Sequence, residues 1–259
     1  MSYPTVIWGP PASMPYETYT GDRLLPQKGR LPLGTMIWMQ DGRKFRFCLN
    51  GGTALVPGNV IQSAVPIATD VGMTPAAGAI GDRLITFTHG AATTIANYFS
   101  EGFAVISITP GGGDLYRIDN HLALTNATAG DLVNFSLGYA LRRAITVANS
   151  KVDLIPHPLC FVLASTQVIT AAVAGVAISA IPATTGTGWL QTQGPCGVLT
   201  SGTNIIGTRA AASVGAAAAG PLTATATVYD NEITIGVVAK VAANAAWSTI
   251  NLTMEGHAL

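Results

Sequence analysis

Few residues in this chain could carry chemistry. There are three cysteines, Cys48, Cys160 and Cys196, and four histidines, His89, His121, His157 and His257. Cys196 draws attention because it sits between proline and glycine in "GWLQTQGPCGVLTSG", residues 188–202. A nucleophilic cysteine needs a His, Lys, Arg or helix N-terminus beside it to lower its pKa. No charged residue lies within a dozen positions on either side, and the flanking apolar runs read as strands. Cys196 therefore reads as a small side chain at a bend between strands 188–193 and 196–200, which makes a cysteine hydrolase the weakest functional reading. His157 and Cys160 in "IPHPLC" supply two ligands, too few for a metal site.

The sequence contains no H-E-x-x-H, G-x-S-x-G or G-x-x-x-x-G-K-[ST]. Gly111-Gly112-Gly113 could pass for part of a nucleotide fingerprint, but that fingerprint needs a following helix to meet the phosphates, and "DLYRID" reads as a strand. The basic residues Arg23, Lys28, Arg30, Arg43, Lys44 and Arg46 are six of the chain's 13 Lys/Arg. In "GRKFRFC" aromatics alternate with them, as on a nucleic-acid surface, or as on a strand that is basic outside and aromatic inside; the latter is favoured. The expectation is no enzyme, no catalytic residue, no cofactor and no metal.

The elements that must position these residues are β-strands. Charged residues make up 10% of the 259 residues, with Lys+Arg and Asp+Glu balanced at 13 each. So little charge argues against nucleic-acid binding and for a surface partly covered by other subunits. Residues 1–34 carry Pro4, Pro10, Pro11, Pro15, Pro26 and Pro32 among aromatic residues, and read as an extended arm lying in a groove. A first β-rich domain is expected over 35–165, with hairpins at 36–39/44–49 about Asp41-Gly42 and at 103–108/115–119. Residues 92–102 are the best helical candidate.

A second, barrel-like domain is expected over 166–259, with strands at 173–181, 188–193, 196–200, 203–207, 223–229, 233–241 and 247–254. In it Ile233, Ile235, Val237, Ala239 and Val241 share one face. "FVLASTQVITAAVAGVAISAI" reaches membrane-spanning length, yet its Gln167, hydroxyl groups and lack of flanking Lys/Arg read better as two buried strands. The N-terminus lacks a secretory pattern, which points to synthesis in a cytoplasm. The fold class expected is all-β, mainly antiparallel, as two small barrel or sandwich units behind the arm.

Two stretches, "GDRLLPQKGRLPLGTMIWMQDGRKFRFCLNGGTALVPGNVIQS" and "GWLQTQGPCGVLTSGTNIIG", resemble segments of virion proteins of tailed phages, particularly aquatic ones. Residues 188–254 also resemble the small β-barrels of phage capsid decoration, or cement, proteins. The resemblance covers about half the chain and rests on turn-and-strand patterns. It implies a structural protein, made in the host cytoplasm, that binds the major capsid protein on the capsid exterior as a dimer or trimer. Trp8, Tyr16, Tyr19, Arg23 and Arg30 of the arm are the candidate capsid or subunit contacts, because aromatic and Arg side chains carry most interface energy; the competing reading pins them onto the arm's own domain. No nucleic acid or membrane partner is expected. The main rival is a tail, neck or head-fibre component that binds glycans, with Trp189 or Trp247 as the aromatic platform.

Overall fold

A computed structural model of the chain describes residues 6–8, 14–19, 31–90, 93–125, 129–165, 171–183, 186–200, 204–212, 222–224 and 234–255. Its strands are β1 (Val6–Trp8), β2 (Met36–Trp38), β3 (Lys44–Leu49), β4 (Val60–Gln62), β5 (Thr74–Pro75), β6 (Leu84–Thr88), β7 (Phe103–Ile108), β8 (Leu115–Asn120), β9 (Ala129–Phe135) and β10 (Lys151–Ile155). They continue with β11 (Leu163–Ala164), β12 (Val173–Ala177), β13 (Thr187–Leu199), β14 (Arg209–Ala212), β15 (Leu222–Ala224), β16 (Thr234–Lys240) and β17 (Trp247–Thr253). The only helical turns among the described residues are short 3-10 segments at Met14–Tyr16 and Ala68–Asp70. The chain is all-β, as its pattern of short β-branched runs and Gly/Asn/Asp breaks requires.

Two compact units divide it. Pro66–His157 is one of them, an antiparallel sheet in the order β10-β7-β8-β9-β6-β5. Met73, just before β5, exchanges both backbone hydrogen bonds with Val152 of β10, at 3.0 Å each. The two ends of the strand order therefore meet, and the sheet nearly closes into a barrel. Alternation fills it: Ile85 and Phe87, Ala104 and Ile106, Tyr116 and Ile118, and Val152 and Leu154 point inward from four strands. Tyr116 stacks on Phe135 with ring centroids 4.8 Å apart.

The other unit is built from both flanks of that barrel. Its sheet runs β1-β2-β3-β13-β17-β16-β14-β15, with β4 pairing β11 and β12, and β12 pairing β13. The central strand β13 is 13 residues long. Residues 187–193 pair with β3, and residues 193–199 pair with β17. Where the partner changes, the register slips between Gln191 and Gln193, and Gly194 takes a φ of +83°. The Gln191 side-chain amide donates to the carbonyls of Gln193 (3.0 Å) and Pro195 (2.9 Å), holding the bulge.

Several expectations change here. The boundary drawn at 165/166 does not coincide with the observed division, because β3 and β4 bond to β13, β11 and β12, far away in sequence. Gly-Pro-Cys-Gly lies just past that bulge, within one continuous strand in regular register with β17, and is not a corner between two strands. Residues 93–102 form turns rather than a helix: Asn97 and Glu101 adopt φ of 61° and 66°, and the Phe99 and Glu101 amides donate away to His121 Nε2 and the Ile118 carbonyl.

Residues 204–207 are a turn, tied by Thr208 N–H to the Ile205 carbonyl, and the strand begins at Arg209. The strand expected over 223–229 lies mostly outside the described residues. In β16 the pairing with β14 slips between Ala210 and Ala211, leaving Ile235 as an extra residue; Gly236 and Val238 then face inward and Val237 is 40% exposed, so the expected alternating face breaks after Ile235. The apolar run 161–181 contributes β11 and β12, two short strands on β4. No helix among the described residues is long and apolar enough to cross a membrane.

Candidate interaction surface

Cys196 lies in the core of the open sheet with Val198, Ile250 and Leu252. Burial pushes its thiol up to about 12, only weakly opposed by the Arg43 charge. A thiol so raised is not ionised near neutral pH, so this side chain is apolar filling and no nucleophile. Cys48 and Cys160 are also buried and in no disulfide, and no group of three or more His, Cys, Asp or Glu among the described residues could hold a metal ion.

The histidines are not all solitary. His89 Nε2 lies 2.8 Å from Asp70 Oδ1, with both side chains shut off from solvent. This joins the 3-10 turn before β5 to the end of β6, a pairing across 19 residues that no sequence motif announces. Burial raises the Asp70 carboxyl pKa, while the hydrogen bond and charge of His89 work against that rise. The pair pins these two segments together. His121 donates from Nδ1 to the Leu122 carbonyl at 2.6 Å and accepts the Phe99 amide at Nε2, a neutral tautomer favoured further by burial.

Gly111 and Gly112 sit in the β7–β8 hairpin loop, and their carbonyls accept hydrogen bonds from Arg143 Nη2. A phosphate cradle presents amides, whereas this loop presents acceptors to a cation. Arg143 also forks onto Asp114, at 3.0 and 2.9 Å. In β3, Phe45 and Phe47 are buried while the basics turn outward and find partners. Arg46 grips Glu255 through two bonds of 2.8 and 2.7 Å, Arg43 meets Asp41 at 2.7 Å, and Lys44 Nζ lies 4.3 Å from the Trp38 ring centroid. This is the amphipathic strand expected from the alternation.

The described parts of the arm lie on the open-sheet unit. β1 runs parallel to β2, Val6 opposite Met36, and so covers the edge of the hairpin. Tyr19 exchanges two 2.8 Å backbone bonds with Thr187, its hydroxyl donates to Glu17, and its ring lies 6.4 Å from Phe47. Burial, the hydrogen bond to Glu17 and that carboxylate's charge push its phenol up to about 12, so it remains a neutral donor. Tyr16 and Tyr19 stay 52% and 40% exposed. Trp8 lies in β1, and Arg23 and Arg30 lie outside the described residues. The structure thus brings Trp8, Tyr16 and Tyr19 to one unit through backbone pairing that composition could not disclose.

Of the two glycan-platform candidates, Trp189 is fully buried against Phe47 and belongs to the core. Trp247 is 52% exposed. The barrel also leaves large apolar side chains in water: Leu137 is 90% exposed and Ile80 71%. They sit on turns stitched together by Gly81 N–H to the Leu141 carbonyl and Leu141 N–H to the Asp82 carbonyl. Fold and surface together define a two-unit all-β protein with uncovered apolar side chains. Comparison with family models, with curated proteins and with solved structures finds no match to this chain.

Proposed function

We propose that this chain is a non-enzymatic structural virion protein that binds the outer surface of an assembled phage capsid and stabilises the lattice. The observation that carries the reading is the uncovered apolar surface, Leu137, Leu122 and Ile80 above all, on a chain with 10% charged residues. Such surface calls for cover by other subunits. The resemblance of residues 188–254 to decoration-protein barrels names the partner, the major capsid protein, with a homodimer or homotrimer as the bound form. A protein that binds assembled subunits in preference to free ones stabilises the assembly by its binding free energy, multiplied over symmetric copies. Trp8, Tyr16, Tyr19, Arg23 and Arg30 remain the proposed arm contacts.

The test is stoichiometry and stripping. Copies per particle in the ratio of the capsid lattice, and a lowered heat resistance of stripped particles restored by adding the protein back, are the expected results. Stripped particles as heat-resistant as intact ones would remove the cementing role. A second reading, a tail, neck or head-fibre component, draws on the exposure of Trp247; a few copies at a single vertex would select it.

A further inference from the structure

The outward face of β13, β17 and β16 has an unusual make-up. Antiparallel register puts Leu199 opposite Trp247, Gly197 opposite Thr249 opposite Lys240, and Pro195 opposite Asn251 opposite Val237. All of these turn away from the core that Cys196, Val198, Ile250 and Leu252 fill from the alternate positions. A Cβ placed on Gly58 would fall 2.5 Å from Trp247 Cζ3 and 2.6 Å from Cη2, and one on Gly197 would fall 3.5 Å from Cε3. The benzo edge of the indole therefore rests on two glycines, and about half the side chain is left to solvent. Gly197 brings no side chain against the indole, and Thr249 faces Gly197 across the strands.

We infer that this face binds a hexopyranose unit of a polysaccharide, with Trp247 as the stacking platform and Thr249, Asn251 and Lys240 as the polar border. A pyranose presents one apolar face of axial C–H groups inside a ring of hydroxyls. The negative face of an indole attracts such C–H groups. Its hydroxyls need donors and acceptors at the rim, and Thr and Asn supply both. Neither side chain is drawn into a hydrogen bond among the described residues. The Lys240 backbone is held in place by Ser248, whose hydroxyl donates to its carbonyl, and its side chain is exposed. That ammonium adds a partner for an acidic sugar. A protein partner would find a poorer match, since interface cores are apolar and depleted in Lys and Ser-like groups, whereas this face offers one aromatic plane among small and polar residues. The inference does not depend on where in the virion the chain sits.

The experiment titrates the full chain with maltohexaose, cellohexaose and an alginate hexamer, read by calorimetry and by tryptophan fluorescence. Saturable binding of at least one is expected, with a preference for alginate if Lys240 participates. W247A should weaken that binding at least tenfold and N251A a few-fold, with melting temperature and capsid occupancy unchanged. G197T sets a side chain against the indole at a position where a Cβ makes only ordinary contact with it, and should abolish binding even if W247A proves unstable. No saturable binding of any of the three sugars, or equal binding by wild type and G197T, overturns the inference. So does loss of capsid occupancy in W247A, which would mean that protein covers the indole. Capsid binding lost in variants of the arm alone would leave the sugar site standing, so the two readings fail separately.

Discussion

Pro66–His157 builds a barrel from one continuous stretch of chain, and its sheet ends meet at Met73 and Val152. The flanking unit spreads a curled sheet from β1 to β15, with its central strand divided between β3 and β17. Closure leaves little unpaired edge in the barrel; the open sheet has ends to cover, and β1 lies along one of them. The difference teaches how an insertion is accommodated: the barrel's pairings are satisfied within its own segment, whereas β3 meets β13 only after the chain has passed through the whole barrel. Folding the open sheet therefore requires closing longer loops than folding the barrel, whose Met73 and Val152 are nearer in sequence than Leu49 and Thr187.

The largest expected effects test whether the units are energetically separate. Trp189 in the open sheet and Phe87 in the barrel are both fully buried. Truncating either to Ala should cost about 3–5 kcal/mol. Calorimetry of wild type should resolve two transitions, with W189A lowering one and F87A the other. Both variants lowering a single common transition would break the comparison and make the chain one cooperative body.

Next comes a close backbone approach within the open sheet. Gly236 pairs with Leu252, and a Cβ there would overlap the Asn251 carbonyl oxygen. G236A should cost about 2–3 kcal/mol, the range for overpacking. In the barrel, Gly72 has a φ of +69° with open space where a Cβ would go, so G72A carries only backbone strain, about 1 kcal/mol. Denaturant midpoints for the pair should rank in that order.

The two glycines show where the sequence is legible. The hairpins at 36–39/44–49 and 103–108/115–119, with the turn at Asp41-Gly42 and the Gly-rich loop, follow from local turn chemistry, and the structure bears them out. What was hidden depends on partners distant in sequence. The bulge at Gln191 exists because β13 changes neighbours, Val238 turns inward because β16 slips against β14, and residues 93–102 lose their helix because His121 and Ile118 claim their amides. The same holds for the sites: Cys196 could be judged from its neighbours in sequence. Trp189 and Trp247 could not be told apart, because one faces Phe47 and the other lies on Gly58, in the turn before β4.

Acid should separate the units by sign. In the open sheet the Arg46 hydrogen bonds hold the Glu255 carboxyl below its usual range, with a further bond from Thr192. A lowered folded pKa means stability present above the unfolded value and lost as pH falls through the folded one. E255Q should cost about 1 kcal/mol at neutral pH, reduced by the partial exposure of Arg46, and the cost should vanish in acid below the folded pKa. In the barrel, burial holds the Asp70 pKa above its unfolded value. Its contribution is fully present below the unfolded pKa and is lost as pH rises through the folded one. D70N removes that loss, so the gap between wild type and D70N should change with pH in the opposite direction to the gap for E255Q. Parallel pH profiles for the two variants would contradict the burial assigned to Asp70.

The smallest effect concerns Cys196. Its side chain touches the core side of a strand whose outward neighbours are Pro195 and Gly197, so Ala in its place leaves a void of one sulfur atom. C196A should lower only the open-sheet transition, by about 1 kcal/mol, the low end of core truncations. Reactivity is the sharper readout. With the thiol pushed up to about 12, iodoacetamide at pH 8 should leave the folded protein unlabelled at this position and label it after unfolding in guanidinium. Labelling of Cys196 at a rate that follows opening of the open sheet, while the barrel transition is untouched, would show that the units also open independently. Rapid labelling of the native protein would instead mean that the bulge at Gly194 exposes the sulfur, and the strand would then be a hinge where its pairing changes hands.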